Sequence, residues 1–409
     1  MHEGAAHTSV RSPARPALEL AEIVRAHGQA YRQRHVLTPE QHAVLSAIER
    51  CRTAALGGHL DVCMACGYSE PSYNSCRNRH CPECQALAQA RWIEGRMQRV
   101  LPTHYFHVVF TLPAELRPLA AHNRRAIFDL LFATASATLL ELGRDPERLG
   151  AELGITMVLH TWARDLQFHP HVHAIVTGGG LSLDGTRWVH APPDFLFPVQ
   201  VMGALFRGKV LAALEAAYAR GELTLPEDGG PTDPEARDRL RDRLYRTPWV
   251  VYAKRPFGGP EQVLRYLGRY THRVGISNQR LVRMDDEGIT FRTKAGKTVT
   301  LSPERFLSRF LQHVLPDGFV KIRHYGLMAS GNATTKLELA RERLTSAAPA
   351  LRCCTPDAPA TGDDGRACFD VVLLRLTGID VRLCPACHQL AMVRQPLPVP
   401  PSRAPPVAA

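Results

Sequence analysis

With 409 residues the chain exceeds the usual size of a single domain, so two or three domains are expected, one with a sizeable core. Lys and Arg number 50 against 39 acids, a formal net charge of +11, which points to an anionic partner such as nucleic acid or a membrane surface. The polar N-terminus has no apolar leader, and the greasiest run, Leu130 to Leu140, is too short for a bilayer, so a cytoplasmic protein is expected rather than a secreted or membrane-spanning one.

Residues 1–16 read as disordered. Helices are expected over 17–34 and 39–50, the second opened by Thr38 as N-cap, Pro39 at the first helical position and Gln41 three residues on. All 11 cysteines fall in two clusters, six between Cys51 and Cys84 and five between Cys353 and Cys387, a distribution that favours metal sites over disulfides in a reducing compartment. Cys63-Met64-Ala65-Cys66 and Cys81-Pro82-Glu83-Cys84 form two knuckles separated by 14 residues, a spacing close to that of structural zinc ribbons. Cys51, His59, Cys76 and His80 would suffice for a second zinc, or are buried thiols and surface histidines. Arg77 and Arg79 stand beside this metal segment, where they suit phosphate contact or simple solvation.

A polar helix over 85–100 and a buried strand over 104–112, closed by Pro113, lead to a helical stretch ending near 142. The apolar run Ile155 to Trp162 and the run His171-Val172-His173-Ala174-Ile175-Val176 flank the turn-like residues 163–167 and read as a hairpin. Residues two apart on a strand share a face, so His171 and His173 can reach one metal ion, and His160 on the neighbouring strand is a third candidate ligand. Further on, 197–223 reads as helical, 227–238 as an acid-rich insertion and 248–254 as a strand. A helix is expected over 260–273, a β-meander over 279–300 around Asp286-Glu287-Gly288, and helices over 304–315 and 335–344 around a strand at 319–324. Residues 346–367 read as a linker. Cys384-Pro385-Ala386-Cys387 is half a ribbon, which Cys353-Cys354 could complete, and the tail after Gln395 holds six prolines and reads as unstructured. The basic excess is concentrated between Lys254 and Arg323, with 14 Lys/Arg against 6 acids.

In the 260–273 helix, Val263, Tyr266, Leu267 and Tyr270 form one stripe, and Arg265, Arg269, His272 and Arg273 the adjoining one. Two phenols thus lie one turn apart beside a ridge of cations, which favours a phenolate nucleophile, although an amphipathic helix with core-edge tyrosines has the same pattern. Gly296-Lys297-Thr298 is not a nucleotide-binding loop, because position 291 is Phe where that motif requires Gly, so ATP is not implied. A histidine pair, paired tyrosines on a basic helix and a zinc ribbon together match metal-assisted cleavage of DNA through a phosphotyrosine.

Five blocks in order carry a resemblance: residues 73–82 (Tyr73 to Pro82), 169–173 (His169-Pro170-His171-Val172-His173), 256–260, 266–273 and 322–327. Over roughly residues 20–345 the chain resembles the insertion sequence ninety-one type transposases, rolling-circle enzymes of the His-hydrophobic-His (HUH) nuclease superfamily. The resemblance implies an α+β fold, with an antiparallel-sheet nuclease core flanked by helices and preceded by a helical and zinc-ribbon domain. By that reading 17–100 is the zinc-binding domain, 101–345 the catalytic domain with a helical insertion at about 190–247, and 346–409 a linker, CxxC knuckle and Pro-rich tail. It further implies Mg²⁺ or Mn²⁺ on His160, His171 and His173, Zn²⁺ on the cysteines, Tyr266 and Tyr270 as nucleophiles, and Arg265, Arg269 and Arg273 on flanking phosphates. The expected partners are single-stranded DNA, the element ends and target DNA, in a bacterial cytoplasm at the nucleoid, with neither membrane nor ATP; pairing into a homodimer is left open. The chain departs from the family pattern at Ala163, after Trp162, and at His388, after Cys387, both places where Gly is expected. A replication initiator with the same chemistry, a non-catalytic zinc-ribbon DNA-binding regulator and a metal-dependent hydrolase are the alternatives.

Overall fold

The computed structural model describes residues 16–97, 99–224, 234–254, 262, 268, 275–346, 374 and 380–397. The chain divides into two compact units, one made of residues 1–90, 276–307 and 353–409, the other of residues 91–275 and 308–352.

The first unit begins with helices α1 (Leu20–Arg34) and α2 (Pro39–Arg50). Thr38 caps α2 as its sequence requires: its hydroxyl accepts from the Gln41 N–H at 3.3 Å, and the Gln41 side chain accepts from the Thr38 N–H at 3.0 Å. Strands β1 (Gly58–Cys63) and β2 (Ser69–Tyr73) follow as an antiparallel pair, with Gly58 opposite Tyr73 and Val62 opposite Ser69.

Helix α3 (Gln85–Met97) precedes strand β3 (Tyr105–Thr111), helices α4 (Arg117–His122) and α5 (Arg124–Arg144), and the long hairpin β4 (Ala151–Trp162) and β5 (Phe168–Ser182). Strand β6 (Trp188–His190), helices α6 (Val199–Ala219) and α7 (Pro234–Arg246), and strand β7 (Val251–Lys254) come next. Part of the acid-rich insertion read from sequence is therefore helical from Pro234 onward; its residues 227–233 lie outside the described residues.

The chain then returns to the first unit as a meander of β8 (Leu281–Asp285), β9 (Gly288–Arg292) and β10 (Thr298–Leu301), paired in the order β10-β9-β8. Gly288 turns it at φ 126°, where an added Cβ would lie 2.4 Å from the Leu301 carbonyl oxygen. Buried Asn278 ties the meander to the N-terminal helices, its side-chain oxygen accepting from the Leu20 N–H at 3.1 Å and its amide donating to Glu83. A helix over Pro303–Leu311, strand β11 (Ile322–Gly326) and a helix over Lys336–Ser346 precede the last strand, β12 (Met392–Leu397).

Strand β12 pairs antiparallel with β1 along its whole length, from Gly58 opposite Leu397 to Cys63 opposite Met392, in a sheet of order β12-β1-β2. Order thus continues beyond Gln395 to Leu397, against the expectation of an unstructured tail. Pro71 and Pro396 sit on the two outer strands, the places in a sheet where a missing N–H costs no ladder bond.

The second unit is built on an antiparallel sheet of order β11-β4-β5-β3-β7, with β6 added to β5. Alternation gives this sheet two different faces. Val108, Phe110, Met157, Leu159, Val172 and Ala174 point to one side and pack on α5 and α6, as in the Phe110–Phe206 ring contact at 4.9 Å. The helix α5 has the length and apolarity to cross a membrane, but most of its apolar stretch is buried; it is the core helix of this face. On the opposite face Tyr105, Val158 and Ile175 pack against Leu337, Ala340 and Leu344 of the Lys336–Ser346 helix. The histidines lie on this second face.

Candidate metal centres

The cysteines among the described residues gather into two four-sulfur groups, Cys51, Cys76, Cys81 and Cys84 in one and Cys63, Cys66, Cys384 and Cys387 in the other. In the first group the Sγ–Sγ distances are 3.6 Å for Cys51–Cys84 and Cys76–Cys84 and 3.7 Å for Cys81–Cys51. In the second they are 3.6 Å for Cys63–Cys387 and 3.7 Å for Cys66–Cys384. Four sulfurs around zinc at about 2.3 Å stand about 3.8 Å apart along each tetrahedral edge, whereas a disulfide needs about 2.05 Å. Both groups therefore have the size and donor set of a Zn²⁺ site. The crowded thiols also cannot all ionise unaided: hydrogen bonds from Cys51, Cys76 and Cys81 pull the Cys84 thiol down, while Cys51 and its neighbours push Cys81 up. A dication would hold all four as thiolates.

This grouping corrects the one expected from spacing. Cys63 and Cys66 do not join Cys81 and Cys84, because β1 and β2 intervene: β2 runs back along β1 and returns the chain beside Gly57, where the Asn74 N–H donates to the Gly57 carbonyl at 3.0 Å. Cys63 sits at the far end of a six-residue strand, about 17 Å away at about 3.4 Å per residue, too far for a shared ion. His59 and His80 belong to neither group; His59 lies on β1 with its Nε2 3.6 Å from Asp61. Cys51 and Cys76 do share a group, completed by Cys81 and Cys84. Cys353 and Cys354 lie outside the described residues.

The third centre comes from the large sheet. His160 stands directly opposite His171, and Val158 opposite His173, so all three imidazoles project from one face, with ligand nitrogens within 4.8 Å of one another. A register shift between His160 and Trp162 places His169-Pro170 in a bulge, which absorbs a proline inside the sheet. His160 is buried and stacked on Trp162 with ring centroids 4.6 Å apart. His171 donates Nδ1–H to the His169 carbonyl at 2.7 Å, which leaves Nε2 with its lone pair free. His173 meets His107 on β3, Nδ1 to Nε2 at 2.8 Å; with His173 as donor, Nε2 would be the atom it offers to a metal. Burial pushes His171 and His107 down to about 4, so both rings are neutral near pH 7. Neutral imidazoles with their second nitrogens tied back are the form that binds a divalent cation.

Two family models match the chain, one described as "Transposase zinc-binding domain" over residues 23–112 and one as "Putative transposase" over residues 154–336. The "Putative transposase y4qJ" of Sinorhizobium fredii is 45% identical over 388 residues, covering 93% of this chain and 95% of the relative. The chain belongs to the insertion sequence ninety-one family of HUH-superfamily transposases. A second member, "Transposase for insertion sequence element IS801" of Pseudomonas savastanoi pv. phaseolicola, is 29% identical over 320 residues, 73% of each chain. No solved structure matches.

Within this transposase, Tyr266, Tyr270, Arg265, Arg269 and Arg273 lie outside the described residues. Arg77, at φ 53°, and Arg79 lie in the loop between β2 and the Cys81 knuckle. Sequence inspection did not single out His107. Its signal was available in principle, since it sits on the predicted 104–112 strand, but only the register, Val109 opposite His173, shows that its ring faces the others. The same holds for Tyr252 and Lys254 on the edge strand β7. They stand opposite Val109 and His107 and so extend the histidine face with an exposed ring and a cation, the ammonium 5.5 Å from the ring centre. His169 is also built in, accepting from Arg117 Nη2 at 3.2 Å.

Proposed function

We propose that the protein cleaves and rejoins single-stranded DNA through a 5′-phosphotyrosine, as the strand-transfer enzyme of a rolling-circle-like transposition. The observation that supports this most directly is the convergence of His160, His171 and His173 on one sheet face in a chain of transposase family. These imidazoles would hold Mg²⁺ or Mn²⁺; an all-nitrogen protein set makes Mn²⁺ the easier fit, with the remaining positions open to oxygen. Bound there, the cation would neutralise charge on the scissile phosphate.

The chain's own residues do the rest. Tyr266 or Tyr270 attacks phosphorus through its phenolate oxygen, forming the O–P bond as the bridging P–O bond to the leaving 3′-oxygen breaks, and a proton completes the free 3′-hydroxyl. The phosphodiester energy is kept in the tyrosyl ester, so rejoining needs no ATP. The second tyrosine takes the next strand. Arg265, Arg269 and Arg273 fix flanking phosphates, and the zinc-binding region with Arg77 and Arg79 contributes to recognition of the element ends. Tyr252 and Lys254 suit a base-stacking and phosphate-holding role along the same face.

The test is a denaturing gel of labelled single-stranded element ends incubated with Mn²⁺ and wild type, Tyr266→Phe, Tyr270→Phe or the double variant. A covalent protein–DNA band that disappears in the double variant is expected. Cleavage that persists in the double variant would remove the tyrosines from the reaction, and tight binding with no cleavage by wild type would favour a non-catalytic regulator.

A further inference from the structure

We propose that the two ends of the chain are locked together by a second zinc ion, held by Cys63 and Cys66 from the N-terminal region and by Cys384 and Cys387 from the C-terminal one. The zinc-binding family match ends at residue 112, so half of this ligand set lies far outside it. The proposal does not depend on the cleavage chemistry.

The two halves are copies of one local structure. After Cys63 the Gly67 N–H donates to the Cys63 carbonyl at 3.0 Å, and the Cys63 N–H donates to the Tyr68 carbonyl at 2.7 Å. After Cys384 the same two bonds recur, from the His388 N–H to the Cys384 carbonyl at 2.9 Å and from the Cys384 N–H to the Gln389 carbonyl at 2.9 Å. Each knuckle ends on a left-handed residue directly after its second cysteine, Gly67 at φ 75° and His388 at φ 57°. His388 therefore occupies the place of the glycine its knuckle lacks, in a conformation a side chain enters only under constraint. The knuckle also directs N–H groups at sulfur: the Ala386 N–H donates to Cys384 Sγ at 3.4 Å, a bond that stabilises a thiolate over a thiol.

Sheet pairing brings the halves together. Strand β12 leaves the second knuckle and runs antiparallel along β1, which enters the first, and the Met64 N–H donates to the Ala391 carbonyl at 2.9 Å. Cys384 and Cys63 are buried, and the cross-half sulfur distances match tetrahedral edges. The two outer strands of this sheet, β2 and β12, are exposed along most of their lengths, so it has little apolar area to hold it. Small modules of that kind depend on a bound metal for stability.

Zinc content of the purified full chain, measured by elemental analysis, tests this. Wild type should carry two ions per chain. Cys384→Ser with Cys387→Ser should carry one, as should Cys51→Ser with Cys81→Ser, whereas Cys63→Ser with Cys384→Ser should also carry one because both ligands serve the same ion. A second measurement leaves every cysteine intact: a protease site is inserted between Asp363 and Asp364 and the cut chain is run on a sizing column. The C-terminal fragment should co-elute with the rest in zinc and separate after chelation. Two ions retained by the Cys384/Cys387 double variant, or a fragment that separates in the presence of zinc, would overturn the proposal.

Discussion

Replacing His107 by Phe removes both ring nitrogens from behind a candidate ligand while keeping a ring in its place. The His107 ring lies parallel to His173, with centroids 5.0 Å apart and planes within 1°, and is only 6% exposed, so Phe fills nearly the same volume. What disappears is the acceptor for His173 Nδ1–H, now bonded at 2.8 Å. Loss of that bond by a half-buried N–H costs about 1 kcal/mol, which favours the other tautomer, with the proton on Nε2 where the lone pair is needed. Removing such a partner typically weakens metal binding about 10- to 100-fold, or about 1.4–2.7 kcal/mol. Titrating the full chain with Mn²⁺, followed by calorimetry or by the loss of free-ion paramagnetic signal, should show a Kd raised by that factor, with His160→Ala weaker still. A His107→Phe variant that binds Mn²⁺ like wild type would refute the assignment of His173 as a ligand oriented by His107.

Stability should fall on mild acidification. His313, between the Thr161 hydroxyl and the Leu166 carbonyl, is pushed down to about 3 by burial, and His324 to about 4 by burial and by Arg96 and Arg99. Their folded-state values lie below the ordinary value of about 6.5, so protons favour the unfolded chain; the stability is present above about pH 6.5 and is lost as pH falls towards 4. Urea midpoints measured from pH 7 to 4.5 should decline, and a flat profile would contradict this burial. Thr38→Ala removes the hydroxyl that accepts from the Gln41 N–H, leaving only the backbone half of the α2 capping box, and should cost about 1 kcal/mol, read as a lowered unfolding midpoint. Tyr252→Ala should weaken single-stranded DNA binding by about 1–3 kcal/mol, and Lys254→Ala should reduce its salt dependence by about one ion; fluorescence anisotropy across a salt series separates the two. Unchanged affinity in both variants would remove β7 from the DNA-binding face.

Much of this was legible in local pattern. The α2 cap, the 163–167 turn, the meander around Gly288 and the pairing of His160 with His171 and His173 all follow from side-chain period and turn chemistry within about thirty residues of chain. Strand alternation alone brings two histidines to one face. His107 was not legible, because its strand joins β5 from elsewhere in the chain and nothing local states the register.

The zinc ligands mark where local pattern ends. Residue type and CxxC spacing establish knuckles, since the local turn makes them, and so the sequence alone pointed to cysteine clusters fit for a metal. Which knuckles come together was decided by strand pairing: β2 carries Cys76, Cys81 and Cys84 away from Cys63, and β12 brings Cys384 and Cys387 to it. Proximity in sequence is a weak guide because closure entropy grows only with the logarithm of loop length. Spanning 317 residues between Cys66 and Cys384 instead of 14 between Cys66 and Cys81 costs only about 3 kcal/mol more, small beside the about 10–16 kcal/mol of a structural zinc site.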